Sequence, residues 1–267
     1  MKIGIFDSGL GGLIIAKAIM EKMPQYNYVY FGDTLNLPYG GKSKDVVYNH
    51  SLKVVDYLFH KQDCNLIIIA CNTASVCALR QLQQKYLVKN YPDRRILGVV
   101  IPTIETIVER SDNKIGILAT ETTIKSRVYD YEIKKIAKAS IEIISKASPL
   151  LVPMIEHNGI QWVRPILKHY LQPFIDAKVQ SLLLGCTHYP YLKNMIKEIL
   201  PNNINLISQD EIIPNKLFDY LSRHPEIENK ITKDSNRRFI MSDLTENYIE
   251  NSRRLFNENI KIISAMV

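Results

Sequence analysis

The sequence predicts an α/β fold of two similar, doubly wound domains with mainly parallel sheets. Short apolar runs alternate with longer segments of helical period along its 267 residues. NLIIIACNTAS at 65–75 has a counterpart in SLLLGCTHYP at 181–190, which places the two cysteines 115 positions apart. KIGI at 2–5 recurs at 114–117, an offset of 112. Two pairs at nearly one offset indicate an internal duplication, with the halves related by a rough two-fold.

The predicted strands are short apolar runs rich in β-branched residues, which suit a sheet buried on both faces. They lie at 2–6, 27–32, 66–69, 96–100, 114–118, 141–144, 182–184, 204–208, 239–242 and 260–263. The predicted helices run from the loop at 7–12 to about 23, over 46–61, 75–86 and 102–109, from the loop at 119–123 to about 136, and over 162–177, 191–199, 211–221 and 245–256.

The duplication also predicts the domain organisation. Residues 97–209 form one domain, and residues 1–96 plus 210–267 form the other. The charged loop KNYPDRR at 89–95 suits a boundary, so the strand at 96–100 is placed at the start of the second half. The two strands of the tail have no counterpart in that half. We therefore expect the tail to close against the first half.

Composition limits the possible functions. The net charge is +7, but the basic residues occur as scattered pairs and form no continuous run, which disfavours nucleic acid as a partner. Four irregularly spaced cysteines without a CxxC pair predict neither a disulfide framework nor a zinc site. Because no apolar run approaches the ~18 residues of a membrane span, we expect a cytoplasmic protein without a membrane segment.

Cys71 and Cys186 are the residues to which the pattern assigns chemistry. Each follows a buried strand at the edge where parallel sheets bind ligands, and each is surrounded by short polar side chains. If the halves face each other, the two thiols approach one cleft from opposite sides. Such a pair can remove a proton from one face of a carbon and supply one to the other, with no metal or cofactor. The alternative, a buried structural cysteine, is adopted for Cys64 and Cys77.

The loop DSGLGG at 7–12 is a second candidate binding element. It lacks the third glycine of GxGxxG and has no GK[ST], so it does not match a phosphate loop. Its glycines are expected to let backbone amides approach a ligand, while Asp7 and Ser8 supply side chains at a helix start. The alternative is that Asp7 or Ser8 only caps that helix.

Several of these motifs together resemble the cofactor-independent glutamate racemases of the aspartate/glutamate racemase superfamily. FDSG at 6–9, PYG at 38–40, ACNTAS at 70–75 and GCTHYP at 185–190 occur in the order found in that family. The resemblance covers about the first 210 residues, and CNTAS with GCTHYP distinguishes glutamate racemases from the aspartate racemases. The last 50 residues add little.

The resemblance implies an active site between two α/β domains, in which the cysteines are acid and base. It implies that Cys71 takes the α-proton of D-glutamate and Cys186 that of L-glutamate, assisted by Asp7 and His188 respectively. It also implies an isomerase that needs no cofactor or metal and supplies D-glutamate for peptidoglycan synthesis. The residues implied to hold the substrate, besides these four, are Ser8, Tyr39, Gly40, Asn72, Thr73, Thr120, Thr123 and Thr187.

The chain departs from the family pattern at three places. It has Thr122 in place of a glycine, VIP at 100–102 in place of VIEP, and QDE at 209–211 in place of serine-glycine-glutamate. These departures affect local geometry rather than the chemistry. Two other functions stay open: a binding protein that has lost its chemistry, and a regulator of DNA gyrase, although MKI at 1–3 enters the first strand without the extension of the gyrase-binding members. A homodimer also stays open.

Overall fold

Strands and helices alternate along the chain, as predicted for an α/β fold. The computed structural model describes residues 1–137 and 139–267. The strands are β1 (Lys2–Asp7), β2 (Tyr28–Gly32), β3 (Cys64–Ile69), β4 (Arg95–Gly98), β5 (Lys114–Ala119), β6 (Glu142–Ala147), β7 (Ser181–Gly185), β8 (Asn205–Ser208), β9 (Arg237–Met241) and β10 (Ile262–Ser264). The helices are α1 (Gly12–Lys22), α2 (Lys44–His60), α3 (Asn72–Gln81), α4 (Val88–Asn90), α5 (Val100–Glu109), α6 (Glu121–Ser126), α7 (Val128–Ile136), α8 (Leu151–Glu156), α9 (Val163–Asp176), α10 (Lys193–Ile199), α11 (Gln209–Arg223), α12 (Pro225–Glu228) and α13 (Glu246–Phe256).

The first sheet has the strand order β10-β9-β2-β1-β3-β4, and its pairings are parallel. β1 lies between β2 and β3, with Phe6 level with Phe31 and Ile69. Because the three strands end together, Asp7 and the residues after Ile69 emerge at one edge of the sheet. Functional side chains from separate parts of the sequence are thus brought together there.

The second sheet repeats this arrangement. Its strands pair in parallel in the order β6-β5-β7-β8, which matches β2-β1-β3-β4 of the first sheet. Cys71 follows β3, and Cys186 follows β7 at the equivalent position. Ala119 is level with Gly185, so Thr120 and Cys186 also emerge side by side. The duplication seen in the sequence is present in the fold.

One predicted strand belongs to the other sheet. The run at 96–100 was expected to begin the second half, but β4 pairs with β3 and places Ile96 level with Ile67. It therefore completes the first sheet, and its partner is the preceding strand in the chain. At the other edge, β9 pairs with β2 and β10 with β9, so the tail joins the first sheet. The exact domain limits, 1–96 plus 210–267 and 97–209, stay a prediction.

One of the hydrophobic clusters contains apolar side chains from both sheets. Ile3 and Ile5 of β1 are fully buried in the same cluster as Leu182 and Leu184 of β7. Burial of this kind stabilises by about 25 cal/mol per Å² of apolar surface. The two sheets are therefore held together by packing as well as by the chain. None of the helices in the described ranges is long and apolar enough to cross a membrane.

Candidate active site

A cavity of about 150 Å³ lies between the carboxyl edges of the two sheets. An engineered cavity of about that volume holds a benzene molecule, so the space suits a ligand of the size of a small amino acid. Both Cys71 and Cys186 line it. Of the described residues around it, none is Lys or Arg. The lining residues are Ser8, Leu37, Pro38, Tyr39, Gly40, Gly41, Cys71, Asn72, Thr73, Thr120, Glu121, Ser148, Pro149, Val152, Pro153, Glu156, Cys186, Thr187 and His188.

Cys71 is held at the start of α3, where it acts as the N-cap. Its Sγ accepts the backbone N–H of Ala74 at 3.4 Å and lies 3.4 Å from Oγ of Ser8. Burial raises the pKa of the thiol to about 12, and the neighbouring Asp7 adds to the rise, against the smaller opposing effect of the Ser8 and Ala74 hydrogen bonds. Cys71 is therefore a protonated thiol at neutral pH, ready to act as an acid.

Cys186 has a different set of neighbours. Its Sγ lies 3.7 Å from Nδ1 of His188, and Nε2 of His188 lies 2.7 Å from a carboxylate oxygen of Glu156. Burial alone would lower the pKa of His188, but Glu156 and Cys186 together raise it well above its ordinary value. His188 is thus held as an imidazolium beside Glu156, in contact with the Cys186 sulfur. The imidazolium can donate a proton to that sulfur, and the neutral ring left behind can accept one from it.

Glu156 is a site residue that the sequence did not predict. It ends the short helix α8, where an apolar run, LLVPMI at 150–155, gave no sign of chemistry. Its backbone carbonyl accepts the side-chain amides of Asn251 at 2.6 Å and Asn247 at 3.2 Å, both on α13 of the tail. The only feature of the sequence that could have indicated this residue is a single carboxylate directly after an apolar run. The tail therefore helps to place Glu156.

The Asp7 carboxylate makes hydrogen bonds to two different loops. One carboxylate oxygen accepts the backbone N–H groups of Gly9 and Gly12 at 3.2 and 3.1 Å, which orders the loop before α1. The other oxygen accepts the hydroxyl of Thr187 at 3.3 Å, which connects β1 to the loop that carries Cys186. Burial raises the pKa of Asp7. Asp7 itself lies behind the cavity surface.

Gly11 explains part of the glycine-rich loop. A Cβ atom at this position would lie 2.4 Å from Nδ1 of His188, so only glycine allows the backbone to pass so close to the ring. The sequence predicted that these glycines bring backbone amides close to a ligand. At Gly11 the group that approaches closely is instead the imidazole of His188.

Three threonine hydroxyls form a cluster between the two halves. Oγ1 of Thr73 lies 2.8 Å from that of Thr120 and 3.2 Å from that of Thr123, and Thr120 donates to Thr123 at 2.9 Å. Thr120 also caps α6 by accepting the backbone N–H of Thr123 at 3.4 Å. Thr73 and Thr120 line the cavity, whereas Thr123 lies behind them. The three predicted threonines are thus brought together.

Tyr39 and Gly40 approach the cavity from the loop after β2. The Tyr39 hydroxyl donates to Asp33 at 2.6 Å, which fixes the ring. A Cβ atom at Gly40 would lie 2.8 Å from Cβ of Thr120, so glycine is required where this loop contacts the second half. The residues predicted for the site from the sequence therefore surround one cavity, with Asp7 and Thr123 directly behind its wall. Among the described residues, no group of three or more His, Cys, Asp or Glu side chains is arranged to hold a metal ion.

Comparison with known proteins agrees with this geometry. Residues 14–209 match the family described as Asp/Glu/hydantoin racemase. The chain is 36% identical to the glutamate racemase of Geobacter metallireducens, over 94% of this chain and 91% of that protein. It is 39% identical to the glutamate racemase of Aquifex aeolicus, over 83% of this chain and 84% of that protein. The crystal structure of the Francisella tularensis glutamate racemase in complex with D-glutamate matches with a TM-score of 0.88 at 31% identity, covering 100% of this chain and 97% of that one.

Proposed function

This chain belongs to the Asp/Glu/hydantoin racemase family, and we propose that it interconverts L-glutamate and D-glutamate by a two-cysteine mechanism without a cofactor. The observation that carries the proposal is that Cys71 and Cys186 follow equivalent strands of the two sheets and line one cavity. Glutamate is the proposed substrate because the relatives reported above are glutamate racemases, one of them with D-glutamate bound.

In the L-to-D direction, the Cys186 thiolate removes the α-proton of L-glutamate. The carbanion then takes a proton on its opposite face from the Cys71 thiol. The D-to-L direction uses the same atoms in reverse. The raised pKa of Cys71 supports its role as the acid in the first direction. Asp7 contributes to that rise and so favours the protonated thiol.

Resetting the site requires one proton to leave Cys186 and one to return to Cys71. His188 is the proposed carrier on the Cys186 side: the imidazolium first releases its Nδ1 proton to solvent, and Nδ1 then takes the proton of the Cys186 thiol, while Nε2 keeps its hydrogen bond to Glu156. Glu156 acts through His188, so we propose it as a positioning residue. The resemblance to the family assigns the assisting role on the other side to Asp7.

The cavity must bind a substrate with one ammonium and two carboxylate groups, and no Lys or Arg is among its described lining residues. We propose that neutral dipoles perform this task. Hydroxyl and amide side chains converge on the space, and the N-terminus of the ten-residue helix α3 favours negative charge beside Cys71. Preorganised dipoles in a site without bulk water stabilise developing charge well. The proposed substrate-binding side chains are Ser8, Asn72, Thr73, Thr120 and Thr187, with Thr123 acting through its hydrogen bonds to Thr73 and Thr120 and the Tyr39–Gly40 segment near the distal carboxylate.

The proposal extends to the use of the product. The family resemblance assigns D-glutamate to peptidoglycan synthesis, a process that starts in the cytoplasm, and we propose that location for this chain. The four cysteines are free and buried, which is compatible with a reducing compartment. A homodimer stays a prediction. Of the alternatives, a binding protein without chemistry is disfavoured because both thiols and the His188 partner are in place.

The test is α-proton exchange in deuterated water, followed by NMR on each glutamate enantiomer, with no added pyridoxal phosphate or metal. We expect both enantiomers to exchange and interconvert, and alanine to remain unchanged. Activity that arises only after a cofactor is added would contradict the proposal. Binding of glutamate with no exchange at either enantiomer would support the binding protein instead.

A further inference from the structure

Gln209 is a buried polar residue that the mechanism above does not use. It is the first residue of α11, directly after β8, and its side chain is only 1% exposed. It also stands at one of the places where the sequence departs from the family pattern. A buried amide must find hydrogen-bond partners, so its contacts indicate what it does.

The Gln209 amide forms a reciprocal pair with the amide of Asn72. Nδ2 of Asn72 donates to Oε1 of Gln209 at 2.6 Å, and Nε2 of Gln209 donates to Oδ1 of Asn72 at 3.0 Å. Nε2 of Gln209 also lies 3.1 Å from Oγ1 of Thr103 and 3.2 Å from the hydroxyl of Tyr129. Tyr129 in turn donates to Oδ1 of Asn72 at 2.7 Å. All four side chains are buried.

The direction of these hydrogen bonds is set by a backbone carbonyl. Thr103 donates its hydroxyl proton to the carbonyl oxygen of Val99 at 2.7 Å, and a carbonyl can only accept. With that proton on Val99, Oγ1 of Thr103 accepts from Nε2 of Gln209, and Oε1 of Gln209 faces Nδ2 of Asn72. Asn72 then has to present Nδ2 to Gln209, because the reversed amide would place two oxygens against each other.

We propose that Gln209 is a positioning residue that fixes the orientation of the Asn72 amide for binding a substrate carboxylate. This inference rests on the proposed function. Asn72 lines the cavity next to Cys71, and within the described ranges its Nδ2 has Gln209 as its one acceptor. The second N–H of Nδ2 is therefore left for the substrate. A reversed Asn72 would present Oδ1 to the carboxylate and repel it.

The network also crosses between the two halves. Asn72 follows β3 of the first sheet, whereas Gln209 follows β8 of the second and Tyr129 lies on α7. A binding group carried by one half is thus oriented by side chains of the other. Gln209 needs no contact with the substrate to affect its affinity.

The experiment compares Gln209→Met, Asn72→Ala and the double variant. Methionine keeps the approximate volume but cannot form the amide pair. We expect Gln209→Met to raise KM and the calorimetric Kd for glutamate about tenfold, as for a lost hydrogen bond to a charged group, while kcat changes by less than about threefold. In the Asn72→Ala background, Gln209→Met should change KM by less than about twofold. Gln84→Met, at an exposed position, is the matched control.

Gln209→Glu adds a second measurement, the pH dependence of KM, which would not change if Gln209 had only a structural role. The ionised side chain cannot donate to Oδ1 of Asn72, whereas the protonated one can, and burial favours protonation. The ratio of the variant's KM to the wild-type KM should therefore fall as pH is lowered. If Gln209→Met does not fold, Thr103→Val replaces it in the same comparison, because it removes the acceptor that orients Gln209.

Three outcomes would overturn the inference: additive effects of Gln209→Met and Asn72→Ala, a loss confined to kcat, or a KM ratio for Gln209→Glu that is raised and does not change with pH. Wild-type turnover, measured first, tests the proposed function separately. If the wild type binds glutamate without turnover, the Kd comparison still tests the orientation of Asn72. If it binds no glutamate at all, both proposals fail.

Discussion

A carboxylate oxygen of Glu156 lies 2.7 Å from Nε2 of His188, and both side chains are almost fully buried. In such surroundings, the charge of one group determines the protonation of the other. Glu156 holds His188 protonated, and His188 contacts the sulfur of Cys186. The two cysteines therefore have unlike proton environments although they occupy equivalent positions in the fold.

Glu156→Gln should lower the pKa of His188, because the main charge that raises it is removed and burial then lowers it. The measurement is an NMR titration of the His188 ring. We also expect α-proton exchange of L-glutamate to slow by about 10- to 100-fold, since His188 serves the Cys186 side. Glu226→Gln is the matched control, because Glu226 faces His224 at 2.9 Å on the surface. An unchanged His188 titration would contradict this account.

Cys71→Ser and Cys186→Ser should each reduce racemisation by about 10²- to 10⁴-fold, because a serine hydroxyl is a poor base at neutral pH. Cys64→Ser and Cys77→Ser should keep substantial turnover, since these thiols do not line the cavity. Circular dichroism of glutamate reports the interconversion of the enantiomers. Near wild-type racemisation by either of the first two variants would exclude the opposed-thiol mechanism.

The two active-site variants should also differ in which enantiomer they still deprotonate. Cys71→Ser keeps the thiol that serves L-glutamate, and Cys186→Ser keeps the one that serves D-glutamate. Proton exchange, or elimination from a β-substituted analogue, should therefore survive for one enantiomer in each variant. If both variants retained the same enantiomer, the assignment of the thiols to the two faces would be wrong.

Gly11→Ala should displace His188, because the added Cβ would lie 2.4 Å from Nδ1 of that ring. We expect a loss of about 1–3 kcal/mol in the free energy of unfolding, typical of overpacking, together with slower exchange of L-glutamate. Chemical denaturation measures the first effect. The same substitution in a His188→Ala background should cost less, and an equal cost in both backgrounds would show that the strain lies elsewhere.

Cys71 should make stability depend on pH. Burial, with a contribution from Asp7, raises the pKa of its thiol from 9.0 to about 12 in the folded state. The folded chain keeps a proton that the unfolded chain loses, so this contribution is fully present below pH 9.0 and is lost as pH rises toward about 12. Denaturant titrations across that window should show a shallower fall in stability for Cys71→Ser than for the wild type. Equal slopes would contradict the raised pKa.

The sequence predicted the site where chemistry follows directly from a strand end. Cys71, Asn72 and Thr73 come immediately after β3, and the edge of a parallel sheet brings such residues to one place. Glu156 and Gln209 escaped prediction because their roles depend on contacts with residues distant in the chain. Local sequence carries no information about such contacts.

The prediction that the strand at 96–100 begins the second half was wrong for a related reason. The run at 96–100 is equally apolar whichever sheet it joins, and the charged loop before it resembled a boundary. The strand belongs to the first sheet because it pairs with β3, and strand pairing depends on the whole fold rather than on local sequence. The internal repeat predicted two related α/β halves correctly, because it compares two parts of the same chain.

The unlike surroundings of Cys71 and Cys186 have a consequence for the reaction as a whole. In water, which is achiral, the two enantiomers of glutamate have equal free energy, so their equilibrium ratio is one for any catalyst. The ratio kcat/KM must then be the same in both directions, however different the Ser8 and His188 sides are. A difference between the two directions can therefore appear only as equal changes in kcat and KM, so the enantiomer with the higher kcat must also have the higher KM, by the same factor.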